Sequence, residues 1–321
     1  VHHLISSYWS WAKTYYRDED GNETSQVGVV RSALNLLKEL YGQSHTKDFG
    51  VRQLKTMQNE YISCGLARRV VNVYIGIVKR CFEWGVAEEL VPASVYGSLQ
   101  ALPGLRRGRS DAKETDAIKP VQLADIEAVE PFVSPQVWAL IQLQLFTAAR
   151  PGELVSLRPI DFDMTGECWI VRPERHKTSH RGRVRVIPFG PKAQELLREY
   201  MHDRPVHKPL FSPKESVQMR ASTAESHRRE NQPTTVRVSE RTLGDAYTVP
   251  SYRRAIHRGC DKAEIDRWSP HRLRHTAATR ISDTFGLGHA QAVLGHSSAK
   301  VTQIYADENF AKSISTVMTI G

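Results

Sequence analysis

Four clusters in the sequence hold residue types that can do chemistry, and their order along the chain matters as much as their content. The first is Thr147-Ala-Ala-Arg150-Pro-Gly-Glu153-Leu-Val-Ser-Leu157. Pro151-Gly152 reads as a helix start, because proline in a first turn has its φ preset and no N–H to lose. Arg150 then sits at the junction of two helices, where the N-terminal field of the second suits a phosphate. Taken alone, the same residues also read as a surface arginine beside a first-turn glutamate. The second cluster is Arg175-His176-Lys177-Thr178-Ser179-His180-Arg181-Gly182-Arg183-Val-Arg185. Residues 172–185 hold six Arg or Lys and one Glu. Crowded like charges repel unless something neutralises them, so both a solvated ribbon and a nucleic-acid contact fit.

The third cluster is Ser269-Pro270-His271-Arg272-Leu273-Arg274-His275-Thr276, in which Ser-Pro starts a helix and His271 and Arg274 share a face. His271 and His275 also have the i, i+4 spacing of a zinc helix. Position 272 is Arg where a zinc protease needs Glu, and two arginines would repel a cation, so no metal is expected. The fourth is Leu294-Gly295-His296-Ser297-Ser298, followed by Tyr305 in a polar stretch. Most of the eleven tyrosines should be structural, but a polar setting behind a Gly-His-Ser turn fits a core role poorly.

Together the clusters point to one reaction. Two Arg, one Lys and two His can surround a phosphodiester and offset charge on its non-bridging oxygens as the transition state forms. Tyr305 can supply an oxygen nucleophile and form a covalent intermediate. The same groups contain candidates for general acid and general base. A phenol of pKa about 10 needs such cationic neighbours to react near neutrality.

These groups must be held by a chain of 321 residues, long enough for about two domains. With 40% hydrophobic and 25% charged residues, wholesale disorder is excluded, and no run of 18 apolar residues offers a transmembrane helix. The start, Val1-His2-His3-Leu4, has no basic then apolar segment, so no signal peptide is expected. Four scattered cysteines without a C-x-x-C pair argue against a disulfide framework or thiolate zinc site, and for a reducing, cytoplasmic setting. The net charge of +9 suggests a polyanionic partner without naming one. Residues 1–105 contribute only +1, with 11 basic and 10 acidic groups; 106–120 add +2 and 121–321 add +6.

The expected fold class is mainly α with a small antiparallel β-sheet (α+β). Helical periodicity runs through 2–16, 26–41, 46–64 and 67–86, giving a small bundle over 1–105. Its aromatics, Tyr8, Trp9, Trp11, Tyr15 and Tyr16, fit a small core better than base stacking. The charge-rich 106–120, almost free of large apolar residues and ending at Pro120, reads as a linker. In 121–321, helices are expected over 123–129, 136–149, after Pro151, 192–201, 252–263, 271–284 and 288–294, with two short ones after Ser298 and Asn309. Strands are expected over 168–172 and 183–189, around a turn at 178–182. Residues 213–250, poor in apolar groups, read as a long flexible insertion.

The order Arg150, Lys177, His271-x-x-Arg274, His296, Tyr305 resembles the tyrosine recombinase (phage integrase) family. The stretches TAARPGELVSLRPIDFD, HRLRHTAATR and LGHSSAKVTQIYA are similar to its signature boxes, and the resemblance covers 121–321. Residues 1–105 resemble its helical core-binding domain only in size and pattern. The resemblance implies a site-specific recombinase that cleaves and rejoins DNA through a 3′-phosphotyrosyl link. Arg150 and Arg274 would clamp the scissile phosphate, and Lys177 would protonate the departing 5′ oxygen. His271 would help to deprotonate Tyr305, His296 would bond a phosphate oxygen, and Glu153 would brace the site. Arg175, His176, Arg181, Arg183 and Arg185 of the hairpin, with Arg106, Arg107 and Arg109 of the linker, are expected to grip DNA. No cofactor and no metal are implied, since the covalent link conserves the energy of the broken bond.

Family members usually act as a synapsed tetramer on double-stranded DNA, in which a C-terminal segment docks on a neighbour. Phe310, Ile314 and Val317 form a stripe that fits such docking or packing on its own domain. The insertion departs from the family pattern, and its six basic and five acidic residues favour DNA only weakly. No separate arm-binding domain is expected within these residues. A type IB topoisomerase and a DNA-binding protein without catalysis stay as alternatives, although every catalytic position holds a competent residue.

Overall fold

The computed structural model describes residues 1–173, 185–226 and 243–295, which form a mainly helical protein with one small antiparallel sheet. The chain divides into two compact units, Val1–Ala117 and Ile118–Gly321. The turn at 178–182 and the two short helices after Ser298 and Asn309 lie outside the described residues, as does the Phe310, Ile314, Val317 stripe.

The first unit holds α1 (His2–Tyr15), α2 (Ser25–Tyr41), α3 (Val51–Ser63), α4 (Arg68–Ala87) and α5 (Ala93–Leu99). Each turns an apolar stripe inward: Leu4 and Tyr8 from α1, Val30, Leu34 and Leu37 from α2, and Val71, Ile75, Val78 and Phe82 from α4. Tyr8 is 1% exposed and belongs to the core, Trp11 is partly buried and stacks on it at 5.3 Å, and Tyr15 is 63% exposed. The segment read as a linker is tied down where it follows α5. Ala67 and Lys113 form a β-bridge, Arg68 Nε donates to Glu114 Oε1 at 2.6 Å, and Asn72 bonds both backbone groups of Leu105.

The second unit is built on α7 (Pro135–Thr147), whose buried residues include Val137, Leu140, Ile141 and Leu143. Around it lie α6 (Leu123–Glu127), α8 (Pro151–Val155), α9 (Pro191–Met201), α11 (Val249–Lys262), α12 (Pro270–Phe285) and α13 (Leu287–Leu294). The sheet runs in the order β1 (Phe162–Asp163), β2 (Trp169–Val171), β3 (Ile187–Phe189). Both pairs are antiparallel, with Trp169 opposite Phe189 and Val171 opposite Ile187. The two-residue β1 was not visible to pattern reading, because two residues carry no period.

The flexible insertion expected over 213–250 is corrected at both ends. Pro213–Ser226 forms a further helix, α10, with proline in its first position and Glu215 in its first turn. Ser216, 1% exposed, donates to Gln136 Oε1 at 2.8 Å and lies 2.8 Å from the Tyr247 hydroxyl. Arg204 pairs with Glu215 at 2.9 Å. Polar bonds rather than an apolar stripe hold this helix, which is why hydrophobic periodicity passed over it. Residues 227–242 lie outside the described residues.

Gln144, 0% exposed, is the polar centre of the unit: its Nε2 donates to Pro270 O at 2.8 Å and to Ala149 O at 3.3 Å, while Tyr252 OH donates to its Oε1 at 3.4 Å. The close approach of α11 depends on Gly259, where a Cβ would come within 2.6 Å of Val129 Cγ1 and 2.9 Å of Val133 Cγ1. Gly259→Ala is expected to destabilise this unit by about 1–3 kcal/mol, overpacking outweighing the helix-propensity gain. Urea unfolding followed by tryptophan fluorescence checks this; an unchanged or raised midpoint would contradict it.

Candidate active site

The site is built where four elements end. Helix α7 stops at Ala148, whose φ of 50° lies in the left-handed region and turns the chain towards Arg150. For a residue with a Cβ that conformation costs roughly 1–2 kcal/mol. The Ala148 carbonyl is compensated by Arg274 Nη1, which donates to it at 2.6 Å. Arg274 Nη2 donates to Leu294 O, in the last turn of α13, at 2.8 Å. One guanidinium, 2% exposed, therefore binds the C-terminal carbonyls of two helices, where the helix field favours a cation. Small residues allow the approach: Ala148, Ala277 and Ala278 pack with Leu294 in one cluster.

Arg150 stands at the cap position of α8, with Pro151 next. Glu153 Oε2 accepts from the Arg150 backbone N–H, and its Oε1 from Arg150 Nη1, both at 2.8 Å. This carboxylate is 6% exposed. Burial opposes its charge, but the nearby Arg185 cation and the Arg150 bonds outweigh that and hold its pKa below the usual carboxylate value. Arg150, 28% exposed, is fixed at one end and open at the other.

Arg185 departs from its expected role as a DNA-gripping residue of the hairpin. It is 5% exposed, its Nη1 donates to Val293 O at 2.9 Å, and its Nε lies 3.6 Å from Glu153 Oε1. Strand alternation turns it, with Ile187 and Phe189, towards the core face. Arg106, Arg107 and Arg109 are exposed around a turn in which Gly108 has a φ of 69°. Arg175, His176, Lys177, Arg181, Arg183, His296 and Tyr305 lie outside the described residues.

Helix α12 presents its two histidines one turn apart, with ring centroids 5.4 Å apart. His271 is exposed and His275 partly buried. Burial, then His271, Arg274 and Arg272, lower the His275 pKa to about 4, so its ring is neutral near pH 7. Arg272 points another way: its Nε and Nη2 donate to Lys119 O and Pro120 O at 2.8 and 3.0 Å, and Thr276 Oγ1 bonds Val121 N at 2.8 Å. The end of the supposed linker is thus stapled to the helix that carries His271 and Arg274. Among the described residues no three His, Cys, Asp or Glu side chains form a metal-binding group.

Pattern reading missed a basic face on α11. Arg253, Arg254, Arg258 and Lys262 are exposed, and none of them is within ion-pair distance of a described carboxylate. The signal was present as Arg254 and Arg258 at i, i+4 on an amphipathic helix. The N-terminus of α11 adjoins α8, where a Cβ on Gly152 would lie 3.7 Å from Val249 Cγ2.

Because His275 is held neutral in the fold and titrates near 6.5 when unfolded, its contribution to stability is complete above 6.5 and is lost as the pH falls through about 4. His275→Gln is expected to flatten the stability–pH slope in that window by up to about 1.4 kcal/mol per pH unit. Chemical denaturation at a series of pH values measures this, and an unaltered slope would refute it.

A model of the phage integrase family matches residues 133–312, more than half of the chain. The tyrosine recombinase XerC of Yersinia pestis is 22% identical over 281 residues, covering 87% of this chain and 82% of the relative. The tyrosine recombinase XerD of Ralstonia nicotianae is 26% identical over 297 residues, covering 89% and 85%. Among solved structures, the XerH site-specific recombinase bound to a palindromic difH substrate in a post-cleavage complex aligns with a TM-score of 0.67 at 14% identity, over 99% of this chain and 94% of that one. A lambda integrase tetramer bound to a Holliday junction aligns with a TM-score of 0.66 at 14% identity, over 95% and 76%. Among the described residues, no helix is long and apolar enough to cross a membrane.

Proposed function

The chain belongs to the phage integrase family, and on that premise we propose that it is a tyrosine site-specific recombinase, which cleaves and rejoins DNA strands through a covalent 3′-phosphotyrosyl intermediate. The observation that carries the reading is the frame in which Arg274 and Arg150 are held by the ends of α7, α8 and α13. Two cations positioned before substrate arrives need no reorganisation when charge develops, and one such donor is worth about 10²–10³ in rate. The matched residues, 133–312, also include Lys177, His296 and Tyr305.

In the proposed reaction Arg150 and Arg274 offset the charge of the non-bridging oxygens, and His296 bonds one of them. The Tyr305 oxygen attacks phosphorus; its proton passes to His271, and the bond from phosphorus to the 5′ oxygen breaks. Lys177 supplies the proton that the 5′ oxygen takes up. Religation is the same step reversed, with a 5′ hydroxyl as nucleophile, and it draws on no nucleotide because the phosphotyrosyl link conserves the bond energy. Double-stranded DNA is the partner, gripped by the basic hairpin residues 175, 176, 181 and 183 and by Arg106, Arg107 and Arg109. A homotetramer forms on synapsed DNA, as in the lambda integrase complex, and the free protein is a monomer or dimer. The enzyme works in the cytoplasm, a setting that suits the free, exposed Cys64 and Cys168.

A suicide DNA substrate carrying the target site is expected to yield a covalent adduct on a denaturing gel, in the presence of EDTA. Tyr305→Phe should abolish the adduct and leave DNA affinity nearly unchanged; an adduct that persists would exclude Tyr305 as the nucleophile. The basic face of α11 is expected to meet the DNA backbone. Arg254→Ala with Arg258→Ala should weaken binding whatever the sequence, and reduce the slope of log K against log salt by about 2. Titrations at several salt concentrations read this, and a slope equal to the parent's would remove α11 from the interface.

A further inference from the structure

Arg185 is a buried cation for which the proposed chemistry has no use. Its side chain is 4% exposed, and among the described residues only Nη1 of its three nitrogens has an acceptor, Val293 O at 2.9 Å. Nε and Nη2 have no hydrogen-bond partner among the described residues. A buried guanidinium with two unsatisfied nitrogens is costly, and an apolar side chain of similar volume would serve packing better. Its surroundings suggest why a cation stands there. Among the described residues a carboxylate lies beside it, Glu153, whose Oε1 is 3.6 Å from Arg185 Nε and also accepts from Arg150 Nη1 at 2.8 Å. Arg150 and Glu153 alone would be a neutral pair, with little attraction left for a phosphate. With Arg185 the trio carries one net positive charge, and the most open of the three groups is Arg150, at 28% exposure.

Arg185 also reaches the other side of the site. Gly295 has a φ of 62°, and a Cβ there would lie 2.8 Å from Arg185 Nη1. The residue that follows Gly295 is His296. One guanidinium thus spans the carboxylate beneath Arg150 and the turn that leads to a proposed phosphate ligand. Arg274 makes the parallel connection from Ala148 O to Leu294 O.

We propose that Arg185 is a positioning residue: it neutralises Glu153 so that Arg150 keeps its charge for the scissile phosphate, and it ties the α8 start to the α13 end. The proposal rests on the recombinase reading above. It predicts an unusual pattern of rescue. In Arg185→Met, Glu153 is left without its second cation and neutralises Arg150, so adduct formation slows. Removing that carboxylate charge as well, in Arg185→Met with Glu153→Gln, frees Arg150 and restores part of the rate. A purely structural role gives the opposite result, since losing two buried partners is then at least as damaging as losing one.

The experiment measures the single-turnover rate of covalent adduct formation at saturating suicide substrate, with DNA affinity measured separately. Arg185→Met is expected to lower the rate about 100-fold while affinity stays within about threefold. The double variant should recover about tenfold over Arg185→Met, and Arg185→Lys, which keeps the charge, should stay within about tenfold of the parent. If Arg185→Met does not fold, Arg185→Gln replaces it in both comparisons. A double variant no faster than the single one overturns the proposal, as does a loss confined to DNA affinity or an Arg185→Lys variant as slow as Arg185→Met. Absence of any adduct from the parent protein overturns the recombinase reading and this inference with it. An active parent with variants that break the pattern overturns the inference alone.

Discussion

A buried carboxylate between two guanidinium groups is the interaction on which the frame around Arg150 depends. Glu153 is 6% exposed, and taking an isolated carboxylate out of water costs several kcal/mol. It remains charged because Arg150 supplies two hydrogen bonds and Arg185 a second positive charge. Removing one member of such a cluster leaves an uncompensated charge, at a cost of about 3–5 kcal/mol. The arrangement also fixes geometry. The backbone bond from Arg150 lets Glu153 close the first turn of α8, the side-chain bond directs Arg150, and Arg185 connects both to the last turn of α13.

The second constraint is the set of carbonyls left open where helices end. An α-helix leaves its last carbonyls without partners, and a buried end needs donors from elsewhere. Here the donors are arginines: Arg274 serves Ala148 and Leu294, and Arg185 serves Val293. Each bond joins a charge to a carbonyl at the negative end of a helix, so it is stronger than a neutral hydrogen bond. The same guanidinium groups that would face a phosphate therefore also hold the walls of the site in register. In the proposed reaction, structural and chemical demands fall on the same residues. That overlap explains why alanines crowd around them: larger side chains at 277 and 278 would hold α12 away from the helix ends it must reach.

Much of the architecture could be read from residue patterns, for an identifiable reason. Helices with an apolar stripe, such as α2 and α4, announce themselves because a 3.6-residue period survives in one dimension. Expected and observed boundaries there differ by about one residue. Elements held by other means were lost. Helix α10 is secured by Ser216, Glu215 and Lys214 through polar bonds to partners 80, 11 and 31 positions away, and no local pattern encodes those. The segment 106–120 looked like a linker because it is charged and almost free of large apolar residues. It is nonetheless pinned, by Arg68 through Glu114, by a backbone bridge from Ala67 to Lys113, and by Arg272 through the carbonyls of Lys119 and Pro120. Composition cannot report on backbone groups that every residue possesses.

The sequence by itself determined which chemistry was available. Arg150, Lys177, His271, Arg274, His296 and Tyr305 are the residue types a phosphodiester transfer needs, and their order carried the family resemblance before any geometry was known. It also determined where apolar stripes would build helices, because side-chain period and backbone period are locally coupled. Only the tertiary structure decided what each arginine does. Arg185 belongs to a dense basic stretch and looked like one more surface charge, yet it is buried beside Glu153, 32 residues away in the chain. Arg272 and Arg274 stand two positions apart in one motif, and they turn to different tasks, one holding the 119–120 carbonyls and the other two helix ends. Charge is written in the residue, but its partner is chosen by the fold, because electrostatic energy depends on distance and burial and neither is a property of a sequence.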